Sequence, residues 1–291
     1  MNSLEALQQL GVTAESITKE QRECLDRDGY FVIKEAFSEN ECQRMAAEVD
    51  RIVAEEGDLA GSEVSLESGA TRISNVFNKT DAFDSLLNIK PMLAAAYYLL
   101  GDFKVHGANM REPHTGYGRQ PLHSDSVKLP DGRWCLVNSL ITFDPMTLEN
   151  GPTRIVPGSH KWAPLNVPGE NAMGMGAAPR TAPHKWATEG ADVTAHSAVS
   201  PVTGDADKMP ADPFAPYQGE IKVTVPARSV VVCNAHMWHS GTTKNSSARR
   251  RQLHLSHTRR DMPQQLNQRA YLTRALFERM TEVDRYFLDI T

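Results

Sequence analysis

Apolar residues recur with a helical period over roughly the first hundred positions and with a strand-like rhythm after them. Thr18 and Gln21 form a capping-box pattern at the head of "KEQRECLDRD", and Gly29 stops that helix. "YFVI" then has the branched and aromatic composition of a strand. Ser38 with Glu41 marks a second capping box, opening a helix with Cys42, Met45, Val49 and Ile52 on one face and Gly57 at its end. "AFDSLLNIKPMLAAAYYLLG" is a further helical stretch, broken or kinked near Pro91.

From about residue 103 the period shortens. "FKVHGANMRE", "RWCLVNSLITFD", "TRIVPGS", "EIKVTV", "SVVVCN" and "RQLHLSHTR" are short strand-like runs separated by Gly, Pro, Asn and Asp. The pattern predicts a single α+β domain. A mainly helical layer, 1–102, covers a sandwich or jelly-roll core built from 103–162 and 218–260, and one C-terminal helix within 261–291 packs on the outside. Residues 163–217 break the rhythm, because Ala, Gly and Pro dominate and no period is sustained. An insertion of that length is expected to act as a mobile lid over the mouth of the core.

Composition narrows the class without naming it. The 291 residues are 40% hydrophobic and 23% charged, as in ordinary globular proteins. A formal net charge of −5 argues against nucleic acid or anionic membrane as partner. The start "MNSLEALQQLGV" has no secretory pattern, and no apolar run reaches the ~18 residues of a membrane span. Cys24, Cys42, Cys135 and Cys233 form no C-x-x-C and read as free thiols in a reducing compartment, so a cytoplasmic location is expected.

The candidate chemistry lies in "QPLHSDS". On a strand, alternate residues share a face, so His123 and Asp125 would project the same way while Ser124 points off. "CNAHMWHSG" offers His236 and His239 as a third donor. Two histidines and a carboxylate can occupy one face of an Fe(II) octahedron and leave three positions open. Arg250 follows eleven residues after His239, and its planar fork suits a carboxylate. Strand alternation would send it to the face opposite Arg249 and Arg251.

The order H-x-D, "ENGPTRIVPGSHKW", "H-S-G-T-T-x-N-x-S" and then Arg250 resembles the phytanoyl-CoA dioxygenase family. "DGYFVIKEAFSENE" and "HLSHTRRDMPQQLNQ" are similar to the same family, so the resemblance covers nearly all of the chain except 163–217. It implies a double-stranded β-helix carrying Fe(II) and 2-oxoglutarate, with O2 as oxidant, ascorbate as an assay additive, and succinate and CO2 as coproducts. By the same resemblance His123, Asp125 and His239 match the metal ligands, and Arg250 matches the arginine that holds the distal carboxylate of 2-oxoglutarate. Gln120, Asn138 and Thr153 match cosubstrate contacts, whereas His236 and His160 match no ligand position. Asp125 retains the carboxylate that halogenating relatives replace, so the resemblance implies oxygen chemistry on a small molecule, with hydroxylation as the default and desaturation, epoxidation or ring formation open to a different substrate pose. Asn109 and Arg111, sharing one face of a strand into the site, are candidate substrate contacts, Arg111 for an anionic group or else in a surface salt bridge. A metal-binding cupin-like protein without oxygenase activity is the rival reading, and Arg250 speaks against it.

Overall fold

The computed structural model describes residues 1–126, 132–162 and 208–291. The expected lid therefore lies outside the described residues over 163–207. Helices α1 (Ser3–Gln9), α2 (Lys19–Arg27) and α3 (Glu39–Glu56), a short α4 (Val76–Lys79) and α5 (Lys90–Leu100) belong to the N-terminal layer, with strands β1 (Tyr30–Ile33) and β2 (Ala70–Ile73) between them. The Thr18–Gln21 and Ser38–Glu41 capping boxes both form, and a third, Asn2–Glu5, starts α1. Pro91 sits in the first turn of α5, where its missing N–H costs no helical bond, so the expected break falls at the start of α5.

The remaining strands are β3 (Phe103–Pro113), β4 (Leu136–Thr142), β5 (Thr153–Ile155), β6 (Ile221–Lys222), β7 (Val230–Asn234), β8 (His239–Gly241) and β9 (Gln252–Arg259). They form a two-sheet jelly-roll core: six strands in the order β1-β7-β4-β9-β3-β2, and three in the order β6-β5-β8. A lone bridge between His123 and His239 extends the smaller sheet on the far side of β8.

Strand alternation divides the large sheet into an oily face and a working face. Val137 and Ile141 of β4, Val230 and Val232 of β7, and Leu253 and Leu255 of β9 join one core cluster with Met45, Val49, Leu93 and Ala96 of the helices. Leu140, Val231 and Cys233 belong instead to a second cluster with Ile155 and Val223 of the small-sheet side. On β3 the register shifts between Val105 and Gly107. That bulge reverses the parity of the strand. Phe103 and Val105 thus share the oily face with Ala108 and Met110, and Asn109 and Arg111 turn to the opposite face, where they pair with His254 and Gln252 of β9.

Two features differ from expectation. The C-terminal stretch is not one helix but a 3-10 turn (Gln268–Tyr271), α6 (Arg274–Arg279) and α7 (Glu282–Leu288), because Thr273 and Thr281 each restart the chain as N-caps. It is also not merely external, since Phe287 is buried and stacks on Phe103 at 4.9 Å.

His257 lies on the oily face, fully buried, edge-on to Phe103 at 5.3 Å, and both ring nitrogens lack a hydrogen-bond partner among the described residues. Burial pushes its pKa down to about 3. The unfolded chain therefore takes up this proton near pH 6.5 while the folded chain refuses it until about 3. Stability from this group is full above pH 6.5 and is lost, at about 1.4 kcal/mol per pH unit, as pH falls below it. Urea unfolding at pH 7 and pH 5 is expected to show a smaller loss for His257→Leu than for the wild type. Parallel losses would show that the ring is not the acid-sensitive group.

Candidate metal centre

The smaller sheet brings the two histidines together. The backbones of His123 and His239 exchange both N–H···O bonds, at 2.9 and 2.8 Å. Their rings consequently sit side by side, centroids 4.5 Å apart. The Asp125 amide donates to the Ala235 carbonyl at 3.0 Å, tying the carboxylate-bearing turn to the segment that leads into β8. Asp125 Oδ1 stands 3.7 Å from His123 Nε2 and 3.4 Å from His239 Nε2. One donor atom from each residue falls within 4.8 Å of the others, the spacing of a shared ion.

The tautomers follow from the partners. His123 Nδ1 lies 2.8 Å from the Pro121 carbonyl, and His239 Nδ1 lies 2.8 Å from the Met237 carbonyl. A carbonyl only accepts, so each Nδ1 carries the proton and each Nε2 lone pair is left for a metal. Asn138 Nδ2 donates to Asp125 Oδ2 at 3.0 Å, fixing the carboxylate with Oδ1 toward the histidines. Burial and the neighbouring His239 push the His123 pKa down to about 4, so this imidazole is neutral at physiological pH. Burial opposes ionisation of Asp125, but the attraction and hydrogen bond of the adjoining His239, with the bond from Asn138, outweigh it and hold the carboxyl below its usual range. At His239 the pull of Asp125 exceeds the effect of burial, and the pKa is raised. Two imidazole nitrogens and one carboxylate oxygen are a donor set that suits Fe(II).

The H-x-D segment is not a strand, contrary to the sequence expectation. Only His123 makes a bridge, and Asp125 lies in a bend. The two side chains meet because separate backbone bonds to β8 and to Ala235 hold the segment, not because of strand pleating. His236 also lies off the strands, in the turn between β7 and β8, with Nδ1 2.8 Å from Asn234 Oδ1. It is outside the three-residue cluster. His160 is buried in the 3-10 turn Ser159–Lys161.

The three consecutive arginines have different fates. Arg249 pairs with Glu112 and Asp50, and Arg251 pairs with Asp144 and Asp50. Arg250 between them is 3% exposed and donates to Gln252 Oε1 at 2.8 Å, and its Nε has no partner. Among the described residues no carboxylate lies within ion-pair distance of it. Burial, with Arg111 nearby, pushes its pKa down to about 9, so it remains a cation at neutral pH.

Arg111 points inward and is buried, but its charge is held in a two-pronged pair with Glu67, Nε to Oε2 at 2.9 Å. Arg72 reaches the same carboxylate at 3.2 Å. Asn109 donates to Gln265 at 2.6 Å and keeps an unpartnered Oδ1. Gln120 Oε1 accepts from the Gly241 amide at 3.1 Å, and Thr153 pairs with Gly241 across β5 and β8. Sequence reasoning missed Glu67 and Gln252. Glu67 meets Arg111 across 44 positions and Arg72 across five at no regular helix or strand spacing, and Gln252 is an uncharged residue that nothing in its type marks as the partner of Arg250.

Residues 25–252 match the phytanoyl-CoA dioxygenase (PhyH) family. The chain belongs to that family. Among curated relatives, the iron/alpha-ketoglutarate-dependent dioxygenase ausU of Aspergillus calidoustus is 25% identical over 161 residues, 50% of this chain and 54% of its own. The ectoine dioxygenase of Bordetella bronchiseptica is 28% identical over 162 residues, 52% of each chain. This PhyH chain spans about half the length of the curated relatives it matches. Similar folds include the non-haem alpha-ketoglutarate-dependent carbocyclase SnoK from nogalamycin biosynthesis, at TM-score 0.58 and 19% identity over 94% of both chains. HygX from Streptomyces hygroscopicus, solved with nickel and 2-oxoglutarate bound, aligns at TM-score 0.56 and 17% identity over 85% of this chain and 89% of its own. At such identities the likeness establishes the double-stranded β-helix fold. Among the described residues no helix is long and apolar enough to cross a membrane.

Proposed function

We propose that the chain is an Fe(II)- and 2-oxoglutarate-dependent dioxygenase that hydroxylates a C–H bond of a small molecule, forming succinate and CO2. The observation that carries this reading is the pairing of a His123–Asp125–His239 donor cluster with a buried Arg250 that has no carboxylate within ion-pair distance among the described residues. A metal site alone is compatible with a hydrolase or a sensor. A desolvated guanidinium without a counter-charge costs stability unless a ligand supplies the anion.

In this reading His123, Asp125 and His239 hold the metal, and Arg250 receives the distal carboxylate of 2-oxoglutarate through its fork, steadied by Gln252. Asn138 orients Asp125 through Oδ2, and its unpartnered Oδ1 is available to the cosubstrate. Bound iron and O2 would supply the oxidation itself. The residues of the chain orient the reactants, and the Nδ1–H bonds to the Pro121 and Met237 carbonyls keep the two imidazoles in the metal-binding tautomer. Arg111, neutralised by Glu67, leaves no reason to require an anionic substrate. The names of the similar proteins include an ectoine dioxygenase and a carbocyclase from nogalamycin biosynthesis, so the substrate class stays at small molecules; nucleic acid and membrane are not partners in this reading, and the enzyme acts in the cytoplasm.

Succinate formation from 2-oxoglutarate with Fe(II) and ascorbate, in the absence of added substrate, tests the proposal. Slow turnover that stops on chelation and in the Asp125→Ala variant is expected. No succinate from a folded, iron-loaded protein that binds 2-oxoglutarate would favour the non-oxygenase reading.

A further inference from the structure

Cys135, just ahead of β4, lies against a second constellation that the metal chemistry does not use. Its Sγ is 3.5 Å from His236 Nε2 and 2.9 Å from Ser126 Oγ. Asn234 Oδ1 takes the His236 backbone amide at 3.1 Å and stands 2.8 Å from His236 Nδ1. An oxygen that accepts from the backbone N–H is the acceptor for Nδ1 too, so Nδ1 carries the ring proton and Nε2 is a base facing the thiol. Thiol, imidazole base and orienting amide stand in the order that activates a cysteine nucleophile. The other buried thiols differ: Cys42 donates to the Phe143 carbonyl and Cys233 to the Asn138 carbonyl, neither of which removes a proton.

We propose that Cys135 is a peroxide-reactive modification site whose oxidation loosens the neighbouring metal centre. His236 Nε2 takes the thiol proton, and sulfur attacks one oxygen of hydrogen peroxide. An S–O bond forms and the O–O bond breaks. The departing hydroxide recovers the proton from His236, so thiol plus hydrogen peroxide gives sulfenic acid plus water, with sulfur oxidised by two electrons and peroxide reduced by two. An oxygen added on the side of Ser126 or His236, which stand 2.9 and 3.5 Å from the sulfur, would displace that side chain. These residues are the chain neighbours of Asp125 and of Ala235, whose backbone bond holds the metal-site carboxylate in place.

The claim of a reactive thiol stands without the metal-centre reading, while its effect on metal binding rests on it, so the two are measured apart. Metal-free protein is treated with hydrogen peroxide and a sulfenic-acid trap, and labelling of each of the four cysteines is followed by mass spectrometry. Cys135, though only 3% exposed, is expected to label at least tenfold faster than buried Cys42 and Cys233. His236→Phe and Asn234→Ala are both expected to slow Cys135 by tenfold or more and leave Cys24 unchanged. Cobalt(II) titration after peroxide removal is expected to show tenfold or greater weakening in the wild type and none in Cys135→Ser. Labelling of Cys135 at the rate of Cys42, or unchanged in whichever of the two variants folds, would overturn the reactive-thiol assignment. Rapid labelling with unaltered cobalt(II) binding would overturn the coupling alone, and absence of cobalt(II) binding before oxidation would instead refute the metal-centre reading.

Discussion

Asp125→Ala is expected to abolish turnover and to weaken divalent-metal binding by more than 100-fold. Asp125 is the only anionic donor of the cluster, and its Oδ1 is the atom that both Nε2 lone pairs face, at 3.7 and 3.4 Å. Without it two neutral imidazoles remain, each still fixed by its main-chain carbonyl. Loss of a group that merely orients a ligand typically costs about 10–100-fold in metal affinity, so loss of the ligand itself should exceed that range. Asn138→Ala supplies the comparison. It removes the 3.0 Å bond to Asp125 Oδ2 and leaves the donor in place, and about 10–100-fold weaker metal binding is expected. Cobalt(II) calorimetry on both variants, with circular dichroism to confirm folding, reads the two effects. Wild-type affinity in Asp125→Ala would remove Asp125 from the metal. A loss of 2-oxoglutarate affinity without loss of metal affinity in Asn138→Ala would make Asn138 a cosubstrate contact and not a support for Asp125.

What was legible in the sequence was what neighbouring residues decide. Thr18 with Gln21 and Ser38 with Glu41 declare their helices because the cap and its partner are three residues apart. β3, β4, β7 and β9 show in the branched apolar runs that fill the large sheet. β8 did not show, since His239–Gly241 is a strand only by virtue of β5 and His123 on either side of it. The two side chains of H-x-D do come together with His239, but not by the backbone expected, for two long-range bonds do what a pleat was expected to do. The bulge near His106 is equally silent in sequence, yet it decides that Asn109 and Arg111 face away from the helices. Glu67 could not be found because its partners Arg72 and Arg111 are recruited by β2 and β3 pairing, a contact only the fold creates. Arg249, Arg250 and Arg251 stand just ahead of β9 and not on a strand, yet they alternate: the outer two turn to carboxylates and Arg250 is buried between them.

That separation yields the other large expected effect. Arg250→Ala should weaken 2-oxoglutarate binding by roughly 30-fold or more, since loss of one partner of a buried charged pair costs ~2–5 kcal/mol and each ~1.4 kcal/mol is tenfold. Arg250→Lys should recover only part of it, because an ammonium cannot reproduce the two parallel bonds of a guanidinium. Arg249→Ala and Arg251→Ala should leave cosubstrate affinity within about threefold, the range of an exposed or remote charge. Stability should move the other way. Arg249 and Arg251 hold α3 to the sheet through Asp50, so their loss is expected to lower the urea midpoint. Arg250 in the free protein is a buried cation whose Nε has no partner, and removing an uncompensated buried charge relieves a desolvation penalty. Arg250→Ala is therefore expected to unfold at the wild-type urea midpoint or above it when 2-oxoglutarate is absent. 2-Oxoglutarate should stabilise the wild type and leave the variant unmoved. Calorimetric titration and urea unfolding on the same three alanine variants decide the matter. Equal losses of affinity from all three, or a large loss of stability in Arg250→Ala alone, would mean that Arg250 is a structural cation and that the distal carboxylate binds elsewhere.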